Sequence, residues 1–347
     1  MKKNKKLLII LCAVVLTTLF FILQKSNTTN KKEVSDFAVK DTASISKIFI
    51  ADRNGNNITL EKKENRKWLV NNKYQPKPDF LKLLLEVIYK INVKHTVAKA
   101  AYNNVVKMLA STGIKCEIYL KNNKEPFKIY YVGGHTEDAL GTFMIIENSL
   151  SPFVMEIPGF NGYLTPRFST NLDSWRQPIL FQKSINEIKS LSVKYTNFPE
   201  KSFTIISNNG NYTVLSATTN LTLPAADSVT IDNYLSFYSN VFFEARASDL
   251  NSAKKDSLLK YPPSIAISLT DTKDFTTGVD IYPMPITSSS LAQSDNAGNA
   301  LKYDLDRVYG YIKPEKEFVT IQHLNFDRLL RQITDFKLKK TQSKAIH

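Results

Sequence analysis

The apolar positions change period several times along the chain, and each change predicts an element. Leu7 to Leu23 is one continuous apolar run, interrupted only by Thr17 and Thr18. Residues 24–44 are polar and carry no apolar period, which predicts a short tether. From Ile45 onward short alternating runs take over. Ile58-Thr-Leu60, Trp68-Leu-Val70, Ile114 with Cys116, Ile118 and Leu120, and Phe127 with Ile129 and Tyr131 each place apolar side chains on one face of a strand. Between them Phe80, Leu84, Val87 and Ile88 recur at helical spacing after Pro78-Asp79, and a shorter helix is predicted around Val105 to Leu109.

The same order then returns. Ile45-x-x-Ile48 is echoed by Ile185-x-x-Ile188, and the strand pair by Phe203-Thr-Ile205 with Tyr212-Thr-Val214. Ile231, Leu235 and Tyr238 form the second helical set after Asp227-Ser228, followed by a short helix around Ser257 to Lys260. Ile265, Ile267 and Leu269, then Val279 and Ile281, repeat the middle strands. Phe153-Val-Met-Glu-Ile157 with Phe160, Tyr163 and Leu164 lines up with Phe318-Val-Thr-Ile321 and Phe326, Leu329, Leu330. The spacing of Phe326, Leu329, Leu330 and Ile333 predicts a closing helix, which Pro166 cuts short in the first copy. Matched elements in one order predict a duplication. The expected class is α+β: an N-terminal transmembrane helix, then two tandem domains of antiparallel sheet with helices packed on one side. The expected divisions are a tail (residues 1–6), an anchor (7–23), a tether (24–44), a first repeat (45–172) and a second repeat (173–347). Trp175 and Arg176, beside the boundary, are expected to pack between the repeats. Thr287 to Ala300, rich in Ser, Ala and Asn, reads as a mobile surface insertion.

Seventeen apolar residues at about 1.5 Å each span about 26 Å, enough for a thin bilayer core. A cleaved signal peptide is the competing reading, but its apolar core is normally shorter and no small-x-small site follows Leu23. Cys12 lies mid-run after Leu11, which does not fit a lipoprotein signal. Four lysines precede the run, and Lys25, Lys31 and Lys32 follow it, which predicts a cytoplasmic N-terminus with the bulk across the membrane. Cys116 would then be a lone thiol in an oxidising compartment, inert because its strand position is buried.

The succession Ile58-Thr-Leu-Glu-Lys62, Lys67-Trp-Leu-Val-Asn71, a Leu-rich helix, Ile114-Lys-Cys-Glu-Ile-Tyr-Leu120, Ile129-Tyr-Tyr-Val-Gly-Gly134 and Gly141-Thr-Phe-Met144, leading to Phe153 and Trp175-Arg176, resembles the bacterial family labelled domain of unknown function 4340. The resemblance covers most of the chain after about residue 40. It implies an inner-membrane protein with a single N-terminal helix and its bulk in the periplasm. Some relatives are encoded beside ABC-transporter parts of the gliding-motility type, which implies an accessory of an export or motility complex. The family motifs are structural and supply no catalytic residues.

The formal charge of +14 suggests nucleic acid at first sight. Its distribution argues otherwise: residues 1–30 carry +5, residues 31–172 carry +7 and residues 173–347 carry +2. The first group flanks the anchor. The second is scattered over Lys62, Lys63, Arg66, Lys67, Lys73, Lys77 and Lys82, nearest the membrane, where it can meet anionic lipid. No nucleic-acid signature is present. Catalytic motifs are equally absent. His95, His135, His323 and His347 are far apart, and no metal-ligand spacing occurs. Gly133-Gly134-His135-Thr136 reads as a hairpin connection, Glu137-Asp138 as solvated loop, and Tyr130-Tyr131 and Tyr309-Gly310-Tyr311 as sheet residues. The expectation is a non-enzymatic envelope module without cofactor or metal. It would contact inner-membrane lipid through the anchor and envelope proteins through its domains. The alternative is a periplasmic protein holding a glycan, lipid or peptide between the repeats, with Trp175 and Arg176 as candidate contacts.

Overall fold

The computed structural model describes residues 35–208 and 210–338, so the expected tail and anchor and the first part of the tether lie outside the described residues. Among the described residues no helix is long and apolar enough to cross a membrane. The chain is mixed α+β and divides into two units, one ending at Gln177 and one beginning at Pro178. The division falls after Gln177 rather than after residue 172. Trp175 and Arg176 therefore belong to the first unit.

In the first unit β1 (Ile45–Ala51), β2 (Asn57–Lys62), β3 (Trp68–Val70), β4 (Asn92–Thr96), β5 (Ile114–Leu120), β6 (Lys128–His135), β7 (Thr142–Ile146) and β8 (Phe153–Glu156) form one antiparallel sheet. Their order is β3-β2-β1-β5-β6-β7-β8-β4. Helices α1 (Pro78–Lys90) and α2 (Lys99–Thr112) account for the displaced β4. The chain leaves edge strand β3, crosses one face of the sheet as α1, pairs at the far edge as β4, and returns to the centre through α2.

Alternation decides which side chains meet α1. Register places Ile48 beside Leu60 and Ile118, and Ile50 beside Ile58 and Cys116. All are buried against Leu81, Leu84, Val87 and Ile88 of α1. Burying each large apolar side chain contributes about 1.5–3 kcal/mol, so this face dominates the unit's stability. Helix α2 lies on the opposite face, a departure from the expected one-sided packing. Its Met108 and Leu109 press on Gly133, where an added Cβ would come within 2.8 Å of Met108 Sδ. Gly133 and Gly134 thus lie inside β6 rather than in a hairpin connection; the turn spans Thr136 to Gly141.

The second unit repeats this order. Strands β9 (Ile179–Phe181) and β13 (Val241–Phe242) pair with each other. The others are β10 (Ile188–Tyr195), β11 (Phe203–Asn208), β12 (Asn211–Ser216), β14 (Ala245–Arg246), β15 (Ile265–Asp271), β16 (Thr276–Pro285), β17 (Tyr303–Ile312) and β18 (Glu317–Gln322). They line up as β12-β11-β10-β15-β16-β17-β18-β14, the first sheet's order strand for strand. Helices α3 (Ser228–Ser236) and α4 (Ser252–Leu259) take the places of α1 and α2. Both first strands carry a bulge at their start, between Ile45 and Lys47 and between Ile188 and Ser190. The structural counterpart of Ile45-x-x-Ile48 is therefore Ile188-x-x-Leu191. Ile185 belongs to the preceding 3₁₀ turn, Ile185–Glu187, which matches Thr42–Ser44.

Two expectations about segment ends change. Phe37 and Val39 are buried in the first core, with Val39 N–H donating to Ile88 O at 2.9 Å. The tether gives way to the folded unit before residue 44; two alternating apolar residues are too short a pattern to stand out. The closing segment of the second unit is not one helix. A single turn (His323–Phe326) and a 3₁₀ turn (Asp327–Leu329) are followed by a break at Leu330 and a further turn, Ile333–Phe336. The break returns the chain to α3: Phe336 O accepts from Asp227 N–H at 2.9 Å, and Ala226 bridges Lys337. The first unit closes in the same way, with Trp175 O accepting from Lys77 N–H at 2.6 Å and Pro76 bridging Arg176. Trp175 and Phe336 are equivalent aromatic plugs.

Candidate functional site

Trp175 is fully buried. Its indole N–H donates to Ser169 O at 2.7 Å, and its ring meets Phe80 edge-on at 4.5 Å. Arg176 is buried over the Tyr74 ring, 4.2 Å from its centroid. Both side chains are buried, Trp175 as part of the first core.

The other sequence candidates are also dispersed. His135 lies against Tyr163, His95 Nδ1 meets Thr96 O, and His323 pairs with Asp327; His347 lies outside the described residues. Among the described residues no group of three or more His, Cys, Asp or Glu could hold a metal. Asp138 is a turn staple, accepting from the Thr136 hydroxyl and from Leu140 N–H at 3.0 Å. Tyr130 faces the core, Tyr131 lies under Arg53, Tyr309 donates to Asp249, and Tyr311 meets Phe318 at a tilt. Cys116 and Tyr130 are cross-strand neighbours. Burial pushes both the thiol and the phenol above their usual ranges, so neither ionises near neutral pH. Cys116 occupies the position that Ile267 holds in the second sheet, that of a small apolar filler.

The Thr287–Ala300 insertion is tied down locally. Asp295 accepts from Ala297 and Asn299 N–H, and Ser290 Oγ donates to Asp304 at 2.6 Å. Asp52 builds the same turn between β1 and β2, accepting from Asn54 and Asn56 N–H.

One concavity among the described residues is a site the sequence did not single out. An open groove of about 690 Å³ lies at the end of the first sheet where β1 begins and β2 and β5 finish. Lys47, Lys62, Lys63, Arg66, Lys121 and Lys124 line it against two acids, Glu61 and Glu64. The β1 bulge builds its floor. Ser46 Oγ accepts from Asn122 N–H at 3.0 Å, and Lys121 N–H donates to Ser44 O at 2.9 Å. Lys121 and Asn122 both have positive φ (50° and 59°), which folds the β5–β6 turn tightly over the bulge. Lys47 Nζ sits 3.6 Å from the Tyr119 ring centroid, Lys62 Nζ donates to Ala43 O at 2.9 Å, and Lys63 pairs with Glu61 at 2.7 Å. Arg66, Lys121 and Lys124 are exposed and form no ion pair among the described residues.

The equivalent end of the second sheet is neutralised. Lys183 bridges Asp271 at 2.6 Å, and Lys189, at the bulge position, bridges Asp274. The Lys183 hydrogen bond is the main reason the Asp271 carboxyl stays below the usual carboxylate range. The cationic groove therefore belongs to one unit and is not a property of the shared architecture.

No protein-family model, curated protein or solved structure matches the chain.

Proposed function

We propose that this chain is a non-enzymatic, membrane-anchored envelope protein whose two units are copies of one domain and serve as an interaction module. The apolar run Leu7–Leu23 supports the anchor and its flanking lysines the orientation, with the bulk across the bacterial inner membrane in the periplasm. The resemblance to the domain of unknown function 4340 family supports the envelope setting. The common strand order of the two sheets supports duplication.

The observation that carries the interaction role is the asymmetry of each sheet. One face is sealed by α1 or α3 and by the closing aromatic turns. On the other face α2 packs over β6 and β7, while half-buried Lys47, Glu61 and Glu117 of β1, β2 and β5 form a polar surface, with the Tyr119 ring buried beside Lys47. An antiparallel sheet tolerates one wet face, and a polar face of this kind is open to protein contact. The partner class is other inner-membrane proteins, an export or motility complex being the setting the resemblance implies.

The test is crosslinking in intact cells from a photoreactive residue at Lys115, which is partly exposed on this face of β5, followed by purification in mild detergent. Adducts with inner-membrane proteins, lost when the probe is moved to the buried Ile118 position, are expected. A monodisperse protein with no adduct from the open face rejects the role.

A further inference from the structure

We infer that the cationic end of the first unit rests on anionic phospholipid head groups of the membrane that holds the anchor. This rests on the anchor reading above. Three observations converge on one end of one sheet.

The first is where the chain enters. Lys128, at the start of β6, donates to Asp36 O and to Ala38 O at 2.9 Å, and pairs with the Asp36 carboxylate at 3.0 Å. Phe37 packs between Tyr130 and Phe153, with ring centroids at 5.8 and 6.0 Å. The entry point is thus clamped beside the β5–β6 turn. Only residues 24–35 separate it from Leu23. Fully extended, they reach about 40 Å, and any compaction brings this end closer to the bilayer.

The second is charge. The groove carrying Lys62, Arg66, Lys121 and Lys124 opens at that same end, because β1 starts and β2 and β5 finish there. The attraction of a basic cluster to an anionic leaflet falls off within about one Debye length, near 10 Å, so placement decides its value.

The third is exposed apolar surface. Phe127 of the β5–β6 turn is 55% exposed and Leu150 of the β7–β8 turn 72%. Both turns lie at this end, since Tyr130 pairs with Ile146 and Glu147 N–H donates to Ile129 O. An aromatic and a leucine beside lysines match the interfacial zone of a bilayer, where apolar groups dip and ammonium groups stay at phosphate level. The matching turn of the second unit also exposes an aromatic, Phe275, but its neighbours Asp271 and Asp274 are already paired with lysines. The charge surplus separates the two ends.

The test uses the full chain in nanodiscs, either of phosphatidylcholine alone or with about one third phosphatidylglycerol, washed at alkaline pH before measurement. Amine acylation is followed by mass spectrometry at Lys62, Lys121 and Lys124, with Lys73 and Lys115 as references from elsewhere on the unit. We expect labelling of the three groove lysines to slow by about threefold or more in anionic discs, with the references unchanged and the difference removed by 0.5 M salt, where screening is strong. A Phe127→Ser/Leu150→Ser variant, altered only at exposed positions, should lose part of the protection. Equal labelling in both discs overturns the proposal, as does protection by inorganic phosphate alone in zwitterionic discs. A chain that leaves the discs in the alkaline wash overturns the anchor reading and this proposal with it. Retention with equal labelling overturns only this proposal.

Discussion

Replacing Trp175 by alanine removes the largest fully buried side chain of the protein and should destabilise the first unit severely. Three contributions are lost together. The indole leaves the first core, where it meets Phe80 edge-on at 4.5 Å. The Ser169 carbonyl loses its N–H donor at 2.7 Å. A cavity remains under the junction where Lys77 and Pro76 pair with the closing segment. Trp-to-Ala changes in cores cost about 3–5 kcal/mol, against a total of about 5–15 kcal/mol for a domain. With a urea slope of about 2 kcal/mol/M, the midpoint should fall by about 2 M. The assay is built into the sequence. The chain has two tryptophans, and the other, Trp68 on β3, packs against the same core. Trp68 fluorescence therefore reports the first unit in the variant. Trp175→Phe should cost less, about 1–2 kcal/mol, because the ring against Phe80 survives while the hydrogen bond does not. A midpoint shift for Trp175→Ala below about 0.5 M is the size expected of a surface substitution. It would refute the placement of Trp175 as the plug of the first unit.

Phe336→Ala should act as the counterpart, lowering the stability of the second unit by about 3–4 kcal/mol in far-UV circular dichroism; Phe336 packs on Phe203 at 4.9 Å and on Tyr234 at 5.2 Å. Alkali should unfold the same core. Burial raises the phenols of Tyr234 and Tyr238 above the usual value and that of Tyr195 to about 12, so their stabilising contribution is intact below about pH 10 and fades as pH climbs toward the folded values. Phenolate absorbance should rise together with loss of ellipticity, and early, separate ionisation of these tyrosines would contradict their burial. Asp271→Asn should lower the melting temperature at neutral pH and lose its effect in acid. The wild-type carboxyl is held low by Lys183, so its contribution is present above the unfolded carboxylate value and lost as pH falls through the folded one. Cys116 should resist maleimide at pH 8 in the native protein and react on unfolding; fast native labelling would show that β5 is not sealed.

Much of this architecture is visible in the apolar pattern, and the misses have physical causes. Helix α1 and strand β5 carry long, clean periods, so Leu84, Val87, Ile88, Cys116 and Ile118 are readable as core. The repeat is also readable, but its phase at the first strand is not. Ile185-x-x-Ile188 imitates Ile45-x-x-Ile48 in spacing, while the shared bulge makes Ile188 the partner of Ile45. Helical spacing from Phe326 to Ile333 suggests a helix because periodicity does not reveal the return of Phe336 to Asp227, which requires a break. Phe37 and Val39 look like tether because two alternating residues carry little signal. The basic excess of the first unit is apparent as a count. Its location is not, because strand register gathers Lys62 at the end of β2 and Arg66 of the following turn with Lys121 and Lys124 of another turn. Trp175 and Arg176 stand out as unusual residues near a boundary; only the bridge to Pro76 shows them to be a closure.

The proposed envelope role depends on the membrane anchor, and protease accessibility in spheroplasts tests that anchor most directly. With the membrane fraction first washed in alkaline carbonate, the full chain should stay in the pellet. Protease added outside should then digest everything after about residue 25, leaving the N-terminal tail protected until the membrane is permeabilised. Release by carbonate, or complete protection of the two units in intact spheroplasts, would contradict the account.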